Sequence, residues 1–419
     1  MKLPPGWTLS TLESHPFTPL PDLRGAVEGA LAQPLSSPRL ADIAAPEQRV
    51  CLVFTDATRT CPDHILVPAL LRELERAHVP DDHMTLLCAT GLHRPSTPAE
   101  KIAKLGREVV DRYRVVDHDP SNCVRVNPDI AVNAVLAESD LIIATGVVEP
   151  HQYAGYSGGG KTVVIGCGSE ATIGLTHGPQ FLDQPGVRLG QVEGNPFQHF
   201  VRTGAQAIGL KFVVNVVLNG AGEALAVQAG HPFAVQDALV ARARSVYEVS
   251  IEEPYDVVIA QVDPPKDVNV YQASRAATYI GLSATPPIRP SGIIIVVARC
   301  PEGAGQGRGE ERFFTALSQA SDLQQLMARF RRDGCQAGEQ RAYMLAQVLL
   351  NHEVIMAGSQ CPRIVEACHM TAASSLAEAI DLAQRRLGAA ARVLYLPHPL
   401  QTIPTITQRA QSRALPRQT

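Results

Sequence analysis

The stretch VCLVFTDATRTCPDHILVPALLREL, residues 50–74, combines a strand with a helix. Its beginning, Val50–Thr55, is an apolar, β-branched run of the kind found in strands that are buried on both faces. A helix is predicted to follow, because Leu66, Leu70 and Leu74 recur every four positions and would share one apolar face. A polar loop joins the two elements, so the stretch predicts an α/β fold.

The same alternation continues along the chain. Further apolar runs with strand character are Met84–Ala89, Leu141–Val148, Thr162–Ile165, Phe212–Leu218, Asp256–Ala260, Gly292–Ala298, Glu353–Ala357 and Arg392–Leu396. Helical patterns lie between these runs, and in the last of them Ser375 and Glu378 have the spacing of a capping box, with Gly388 as the stop. Alternating strands and helices predict α/β layers with largely parallel sheets.

The chain has 419 residues, which exceeds one typical domain, so we expect two α/β domains. A helical pattern ends near residue 251 and a new strand begins at Asp256, which favours an N-terminal domain of residues 1–252 and a C-terminal domain of residues 253–419. The polar tail after Pro404 is expected to fray or to return to the first domain.

Composition excludes several classes of partner. The formal net charge is −4, so no general electrostatic attraction to nucleic acid or to an anionic membrane is expected. Aromatic residues make up 5% of the chain, too few to predict a platform that stacks bases. The longest apolar runs, such as Leu141–Val148, fall far short of the ~20 residues that a membrane-spanning helix needs. We therefore expect a small-molecule ligand, with neither nucleic acid nor a membrane as partner.

The nine cysteines are scattered and odd in number, and no two have CxxC spacing. Neither a disulfide framework nor a zinc knuckle is therefore predicted. The N-terminal residues MKLPPGWTLS lack the apolar core of a signal peptide. These features favour a reducing, cytoplasmic location.

The densest motif is the glycine loop GYSGGGKT, residues 155–162, which matches the phosphate-binding pattern GxxxxGKT. A P-loop requires a strand directly before the first glycine and a helix that starts at the lysine. Here Thr162–Ile165 has the composition of a strand, so the P-loop NTPase is the less favoured alternative.

Two other interpretations of the loop remain open. It is either a plain glycine turn or a backbone that closely approaches a bulky ligand through Gly158, Gly159 and Gly160. In the second case Lys161 would be an exposed amine, able to act as a nucleophile or as a covalent anchor. His151 and His177 flank the loop, and imidazole is both a common metal ligand and a common general base.

Polar residues also follow the first two predicted strands. Thr58 and Arg59, next to Asp56, suit a phosphate or a carboxylate, although a capped helix with a surface salt bridge would use the same residues. His93 stands between Gly91 and Arg94 at a strand end, which favours a site over a solvated bystander. Loops at the carboxyl ends of strands commonly hold ligands in open α/β sheets.

One polar cluster lies in the second half of the chain. Asp267–Arg275 is predicted to open a helix on which Gln272 and Arg275, three residues apart, share a face beside Tyr271. These side chains could bind a ligand, and the alternative is an ordinary polar helix face.

Taken together, these motifs resemble the lactate racemase family, whose members carry a nickel-pincer nucleotide. The resemblance rests on Asp56-Ala-Thr58-Arg59, Gly91-Leu-His93-Arg94, Glu149-Pro-His151, Tyr156-Ser-Gly-Gly-Gly-Lys161, His177 and Tyr271-Gln272. The glycine–lysine block with a histidine on each side is its most specific part, and the motifs extend over about residues 50–400.

The resemblance implies two α/β domains with the cofactor in an active-site cleft between them. It implies that Lys161 is linked covalently to a sulfur-bearing arm of the cofactor and that His177 is the protein ligand to nickel. Asp56, Thr58 and the three loop glycines would contact the cofactor, and the proteins that synthesise it would be partners.

By the same resemblance, His93 and His151 would be acid/base groups on opposite sides of the substrate carbon. The implied reaction is racemisation or epimerisation at carbon 2 of a 2-hydroxy acid, by proton-coupled hydride transfer to the cofactor and back. Arg59, Tyr271 and Gln272 would bind the substrate. A non-catalytic relative is the remaining alternative, and the presence of every one of these groups argues against it.

Departures from the family pattern fall on the substrate side. Arg275 stands where the founding members have lysine, and Thr60 stands where the first motif usually has proline. The single tryptophan is Trp7, so a substrate-contacting tryptophan is missing from the second domain, where Gly338–Tyr343 covers the corresponding region. We therefore expect a polar substrate, an aldonate or a hydroxy dicarboxylate, with Arg275 among its binding residues.

Overall fold

The computed structural model describes residues 1–406, which form two compact units. The N-terminal unit consists of Pro16–Thr176 and Val192–Ser245. The C-terminal unit consists of Met1–His15, His177–Gln191 and the described residues from Val246 onward. Each unit contains one six-stranded, wholly or largely parallel sheet, which confirms the predicted α/β class.

The strands of the described chain are short. They are β1 (Thr8–Thr11), β2 (Val50–Thr55), β3 (Met84–Ala89), β4 (Arg114–Asp117), β5 (Cys123–Arg125), β6 (Ala131–Asn133), β7 (Leu141–Val147), β8 (Pro150–His151), β9 (Gly155–Tyr156), β10 (Leu210–Leu218), β11 (Ala224–Gly230), β12 (Glu248–Ile251), β13 (Tyr255–Gln261), β14 (Ile288–Val297), β15 (Glu353–Ala357), β16 (Thr371–Ala373), β17 (Arg392–Leu396) and β18 (Ile403–Ile406).

The α-helices alternate with these strands. They are α1 (Leu23–Ala32), α2 (Leu40–Ile43), α3 (Asp63–Arg76), α4 (Pro98–Leu105), α5 (Arg107–Arg112), α6 (Ala134–Ala137), α7 (Lys161–Val164), α8 (Glu170–His177), α9 (Pro179–Leu182), α10 (Pro196–Ile208), α11 (Pro232–Tyr247), α12 (Val270–Ala273), α13 (Arg275–Gly281), α14 (Arg308–Ser318), α15 (Leu323–Asp333), α16 (Glu339–Leu349), α17 (Pro362–Ala367) and α18 (Leu376–Leu387). None of the helices in the described chain is both long and apolar enough to cross a membrane.

The sheet of the N-terminal unit has the order β11-β10-β7-β2-β3-β4, and only its β10–β11 pair is antiparallel. Every residue of β2 is buried, as its apolar sequence predicts. The predicted stripe of α3, Leu66, Leu70 and Leu74, is fully buried in the same core. Burial of an apolar side chain of this size typically contributes about 1.5–3 kcal/mol, so this face holds α3 on the sheet.

This topology brings the ends of neighbouring strands together. Strand β2 lies between β3 and β7, and Thr55, its last residue, pairs with Ala89, the last residue of β3. The loops that follow β2, β3 and β7 therefore leave the same edge of one sheet. These loops carry the polar motifs of the N-terminal unit.

The sheet of the C-terminal unit is parallel throughout, with the order β1-β17-β13-β14-β15-β16. Trp7 is buried in its core and its indole Nε1–H donates to the carbonyl oxygen of Gly388 at 3.2 Å. The single tryptophan is thus a structural residue. The predicted cap of α18 is confirmed, since the Ser375 side chain accepts from the Glu378 amide.

The unit limits differ from the predicted boundary between residues 252 and 253. The first fifteen residues belong to the C-terminal unit, because β1 pairs in parallel with β17. Residues 248–251 also belong to it, because β12 pairs with β18. The tail as far as Ile406 therefore pairs inside the C-terminal unit, and the predicted fraying of its remainder lies outside the described residues.

One predicted strand is wrong. Thr162–Ile165 lies in helix α7 and the turn after it, where the Val164 amide donates to Gly160 O and the Ile165 amide donates to Lys161 O. Val163 and Val164 are fully buried in this conformation. The preference of β-branched residues for strands reflects side-chain packing more than the backbone itself. Burial of this run in the helix therefore outweighs that preference. The other predicted strands are confirmed, with ends that shift by a few residues.

Candidate active site

The central contact of the N-terminal unit joins the loops after β2 and β3. Oδ2 of Asp56 lies 2.7 Å from Nδ1 of His93, and the Thr58 hydroxyl donates to Oδ1 of Asp56 at 2.8 Å. Asp56 is buried, whereas the His93 side chain is 56% exposed. A buried carboxylate therefore holds an accessible imidazole by one ring nitrogen.

Asp56 stays ionised in this position. Its burial acts to raise the carboxyl pKa, but the hydrogen bond and charge of His93, with the Thr58 hydrogen bond and the Arg59 charge, outweigh burial and lower that pKa. A carboxylate can only accept, so Nδ1 of His93 carries the proton that it donates. The neutral ring therefore has its lone pair on Nε2, where it can act as a base.

Arg59 belongs to the same loop. Its Nη1 lies 3.2 Å from Oε1 of Glu149, which follows β7, and both side chains are 36% exposed. Its amide donates to Asp56 O at 3.1 Å, which closes the turn. The salt bridge considered as an alternative from sequence is thus present. Glu149 belongs to the motif Glu149-Pro-His151, but its contact with Arg59 spans ninety positions and carries no local sequence signal.

His151, in the short strand β8, has a different environment. Its Nδ1 accepts from the backbone amides of Tyr153 at 3.3 Å and Ala154 at 3.2 Å. The ring packs edge-on against Tyr153 and beside Phe197. Because amide N–H groups only donate, Nδ1 has the lone pair and Nε2 carries the proton of the neutral ring.

The two histidines thus have complementary tautomers. His93 presents a lone pair at Nε2, and His151 presents a proton at Nε2. The neutral His93 ring can accept a proton at Nε2, whereas the neutral His151 ring donates a hydrogen bond from Nε2 and transfers that proton only after it has taken up a second one. The two rings can thus serve as a general base and, in the imidazolium form, a general acid.

The loop glycines pack against protein atoms. A Cβ atom at Gly158 would lie 2.5 Å from Cγ2 of Val148, and one at Gly159 would lie 2.9 Å from Cδ of Gln236. A Cβ atom at Gly160 would overlap the Cβ of Ala205. Close approach to β7, α10 and α11 is therefore sufficient to explain these glycines. The predicted contact with a cofactor remains a prediction.

The hydrogen bonds of this loop also bear on the P-loop alternative. Helix α7 does begin at Lys161, contrary to the sequence expectation, but it is four residues long. The amide of Gly159 donates to Oδ1 of Asn215, the amide of Lys161 to Gly158 O, and the amides of Val163 and Val164 to Gly160 O. A P-loop turns such amides toward phosphate groups, so this arrangement argues against an NTPase.

The predicted cofactor residues occupy defined positions. Lys161 is the first residue of α7 and is partly buried. His177 is the last residue of α8 and the first residue of a segment that belongs to the C-terminal unit. Lys161 and His177 thus belong to different units.

The predicted substrate residues of the C-terminal unit do come together. Tyr271 and Gln272 lie in α12, and Arg275 begins α13 after Ser274. Nη1 of Arg275 lies 3.5 Å from Oε1 of Gln272. The predicted continuous helix is thus two short consecutive helices, with the predicted pair of side chains still adjacent.

Arg341 joins this cluster from α16. Its guanidinium lies over the Tyr271 ring at 4.5 Å from the centroid, and the edge of Phe313 packs against the same ring. Arg341 is only 8% exposed. It belongs to Gly338–Tyr343, the region predicted to correspond to that of the missing tryptophan, and it brings a buried cation to this cluster.

Sequence models of the lactate racemase N-terminal and C-terminal domains match residues 1–190 and 251–403. The lactate racemase of Lactiplantibacillus plantarum is 32% identical over 392 residues, which cover 90% of each chain. That of Thermoanaerobacterium thermosaccharolyticum is 30% identical over 389 residues, covering 90% of this chain and 89% of its own.

The solved lactate racemase apoprotein of the second organism superposes with a TM-score of 0.83 at 28% identity, covering 91% of this chain and 92% of that one. A Thermotoga maritima protein has a TM-score of 0.69 at 16% identity, over 94% of this chain and 100% of its own, which concerns the fold alone. These matches define an isomerase of the racemase class. The chain belongs to the lactate racemase family.

Proposed function

We propose that this chain inverts the hydroxyl-bearing carbon 2 of a polar 2-hydroxy acid, an aldonate or a hydroxy dicarboxylate. The complementary tautomers of His93 and His151 carry the proposal. Inversion through a planar 2-keto acid requires a base for the hydroxyl of one enantiomer and an acid for the oxygen of the other. Imidazole suits both roles, because its unperturbed pKa of about 6.5 lies near working pH.

In the first half-reaction, Nε2 of His93 accepts the hydroxyl proton of the substrate. Asp56 stabilises the imidazolium that forms, because its carboxylate already faces Nδ1–H at 2.7 Å. In the second half-reaction, His151 donates a proton from Nε2 to the substrate oxygen, which requires that its ring first takes up a second proton at Nδ1 in place of the two amide hydrogen bonds. His93 is then an imidazolium and His151 a neutral ring, so their charges are those that the reverse direction requires.

The family implies a nickel-pincer nucleotide, and the chain offers groups that fit one. When bound, it would supply an acceptor for the hydride of carbon 2. Lys161 has the amine for a covalent link, and the imidazole of His177 suits nickel. Within the described residues no three His, Cys, Asp or Glu side chains form a group that could hold a metal ion. A nickel ion would therefore need donors from the cofactor itself.

The contacts of Asp56 and Thr58 support a different role from the predicted contact with the cofactor. Both side chains are engaged in the chain of hydrogen bonds that ends at His93. We assign them to the orientation of this base. Arg59 keeps its proposed role of binding the substrate carboxylate, because its planar guanidinium can donate two parallel hydrogen bonds to that group. Its side chain is also partly exposed.

The substrate side favours a molecule with several acceptors. Nε of Arg275 is buried and has no hydrogen-bond partner among the described residues. The Arg341 guanidinium lies nearby, over the ring of Tyr271. The methyl group of lactate offers no acceptor, and a buried donor left unpaired costs about 1–3 kcal/mol. A second carboxylate or a row of hydroxyls would supply acceptors.

A panel of 2-hydroxy acids tests this function. Enzyme loaded with cofactor is incubated with aldonates, hydroxy dicarboxylates and lactate, and the stereoisomers are separated by chiral chromatography. We expect a polar substrate to have the highest kcat/KM, and Arg275→Lys to narrow its advantage over lactate. If lactate has the highest kcat/KM, the substrate assignment is wrong. If no acid is inverted, the proposed reaction itself is wrong.

A further inference from the structure

A buried ion pair lies beneath the loop that carries Asp56 and Arg59. Nζ of Lys104, near the end of α4, lies 2.9 Å from Oδ2 of Asp63, the first residue of α3. Their side chains are 11% and 0% exposed. An ammonium and a carboxylate are thus held away from water, where each needs hydrogen-bond partners beyond the other.

Lys104 finds those partners in the loop. Its ammonium donates to the carbonyl oxygens of Arg59 at 2.9 Å and Cys61 at 3.0 Å, and to the Thr55 hydroxyl at 2.9 Å. The two carbonyls lie within the turn between β2 and α3. One ammonium group therefore holds two carbonyl groups of this turn, in addition to the backbone hydrogen bond between the Arg59 amide and Asp56 O.

Asp63 links the Lys104 ammonium to the sheet. Its Oδ1 accepts from the Thr145 hydroxyl of β7 at 2.5 Å, and its Oδ2 accepts from the Thr55 hydroxyl of β2 at 2.5 Å. The charged pair therefore links two central strands, one helix start and one loop. Each of these elements lies in the N-terminal unit.

The other end of α4 continues into the His93 loop. Thr97 caps the helix, with its hydroxyl accepting from the Glu100 amide, and the Glu100 carboxylate binds the Arg94 guanidinium at 2.8 Å. Helix α4 thus begins at the loop of His93 and ends with Lys104 under the loop of Arg59. It connects the two loops whose contact is Asp56–His93.

Stability alone is a weak reason for this arrangement. Replacing a buried ion pair by apolar groups is often neutral or stabilising, because burial of both charges is costly. What the charges supply here is a defined loop conformation, since an apolar side chain in place of Lys104 has no donor for the two carbonyls. The pair therefore serves to hold the loop conformation and not to increase the stability of the fold.

We propose that Lys104 is a positioning residue for the reaction: through the carbonyls of Arg59 and Cys61 it aims Asp56 at His93 and Arg59 at the substrate. The consequence for catalysis rests on the proposed function. The structural consequence, the tautomer of His93, does not.

The test uses two variants and a matched control. Lys104→Met removes the ammonium but leaves a buried carboxylate, so it could fail to fold. Asp63→Asn combined with Lys104→Met removes both charges, and the amide can accept from one of the Thr145 and Thr55 hydroxyls while it donates to the other. Arg39→Met is the control, because Arg39 also pairs with a buried carboxylate of α3, that of Glu73, but does not contact the loop.

The first readout is the ring nitrogen NMR of His93 in protein without cofactor. We expect a proton on Nδ1 in the wild type and in Arg39→Met, and a shift toward a proton on Nε2 in the double variant. An unchanged His93 tautomer in the folded double variant overturns the proposal, whatever the activity.

The second readout is the kinetics of the loaded enzyme. Displacement of both loops should lower kcat, through His93, and raise KM, through Arg59, with kcat/KM reduced by about 10²-fold. Wild-type kinetics in the folded double variant would also contradict the proposal. If instead the wild type inverts no 2-hydroxy acid while the tautomer still responds to Lys104, the proposed function fails and the positioning role stands.

Discussion

Nε2 of His118 lies 3.0 Å from the carbonyl oxygen of Gly168, and Nδ1 of the same ring lies 3.1 Å from Nδ2 of Asn133. A carbonyl only accepts, so Nε2 carries the proton and Nδ1 accepts from the Asn133 amide. His118 is 3% exposed, and burial lowers its pKa despite the Gly168 hydrogen bond. The neutral ring therefore ties the segment after β4 to the turn after α7.

This burial predicts a pH dependence of stability. The unfolded chain takes up a proton near the ordinary histidine pKa of about 6.5, whereas the lowered pKa of the folded chain opposes this uptake. The contribution of His118 is therefore fully present above about pH 6.5 and is lost as the pH falls toward the lower folded pKa. His118→Gln, which keeps a donor for Gly168, should reduce the loss of unfolding free energy between about pH 8 and pH 5, measured by urea denaturation. His231→Gln, at an exposed site, is the control. It should lose as much unfolding free energy over this pH range as the wild type does.

Asp56→Asn should reduce turnover without removing a ligand-binding charge. The amide can donate to Nδ1 of His93, which would move the ring proton to Nε2 and abolish the base. We expect kcat to fall by about 10²–10⁴-fold, the usual contribution of general acid–base groups. Steady-state kinetics of the loaded enzyme measure this effect. Unchanged kcat in Asp56→Asn would show that the His93 tautomer does not limit turnover.

Substitutions of Lys161 and of His177 are expected to remove different parts of the bound cofactor. In protein made with the cofactor-synthesis enzymes, Lys161→Arg keeps the positive charge but should lose the covalent mass adduct. His177→Ala should keep the adduct and lose metal. Intact-mass spectrometry and nickel analysis separate the two outcomes. An adduct that persists in Lys161→Arg would contradict the covalent assignment.

Gly160→Ala should destabilise the N-terminal unit, because the added methyl meets the Cβ of Ala205. Overpacking of this kind typically costs about 1–3 kcal/mol of unfolding free energy. Adding Ala205→Gly should recover part of that loss, whereas Gly29→Ala meets no atom within 4 Å and serves as control. Denaturant unfolding of the wild type and these three variants tests the packing explanation. Equal stability of Gly160→Ala and wild type would contradict it.

The sequence predicted the features that depend on local patterns. The helix stripe Leu66, Leu70 and Leu74 and the cap at Ser375 are local in the chain, and both are confirmed. The run Thr162–Ile165 has a strand composition, but tertiary packing turns it into a helix that no local pattern signals.

The contacts of the candidate site are the part that sequence reasoning missed. The sequence indicates His93 and Asp56 separately, as polar residues at strand ends, while their pairing depends on the adjacency of β2 and β3. Lys104 and His118 look ordinary in the sequence, since a lysine in an amphipathic helix is usually solvated. Their roles follow from burial, which becomes visible only once the sheet is assembled.

The burial of Trp7 gives this protein a selective optical probe. Trp7 is the single tryptophan of the chain, and its indole lies in the core of the C-terminal unit, bonded to Gly388. Tryptophan fluorescence therefore reports the unfolding of that unit alone, whereas circular dichroism reports both. A difference between the two transitions would measure how independently the units unfold, without any label or substitution.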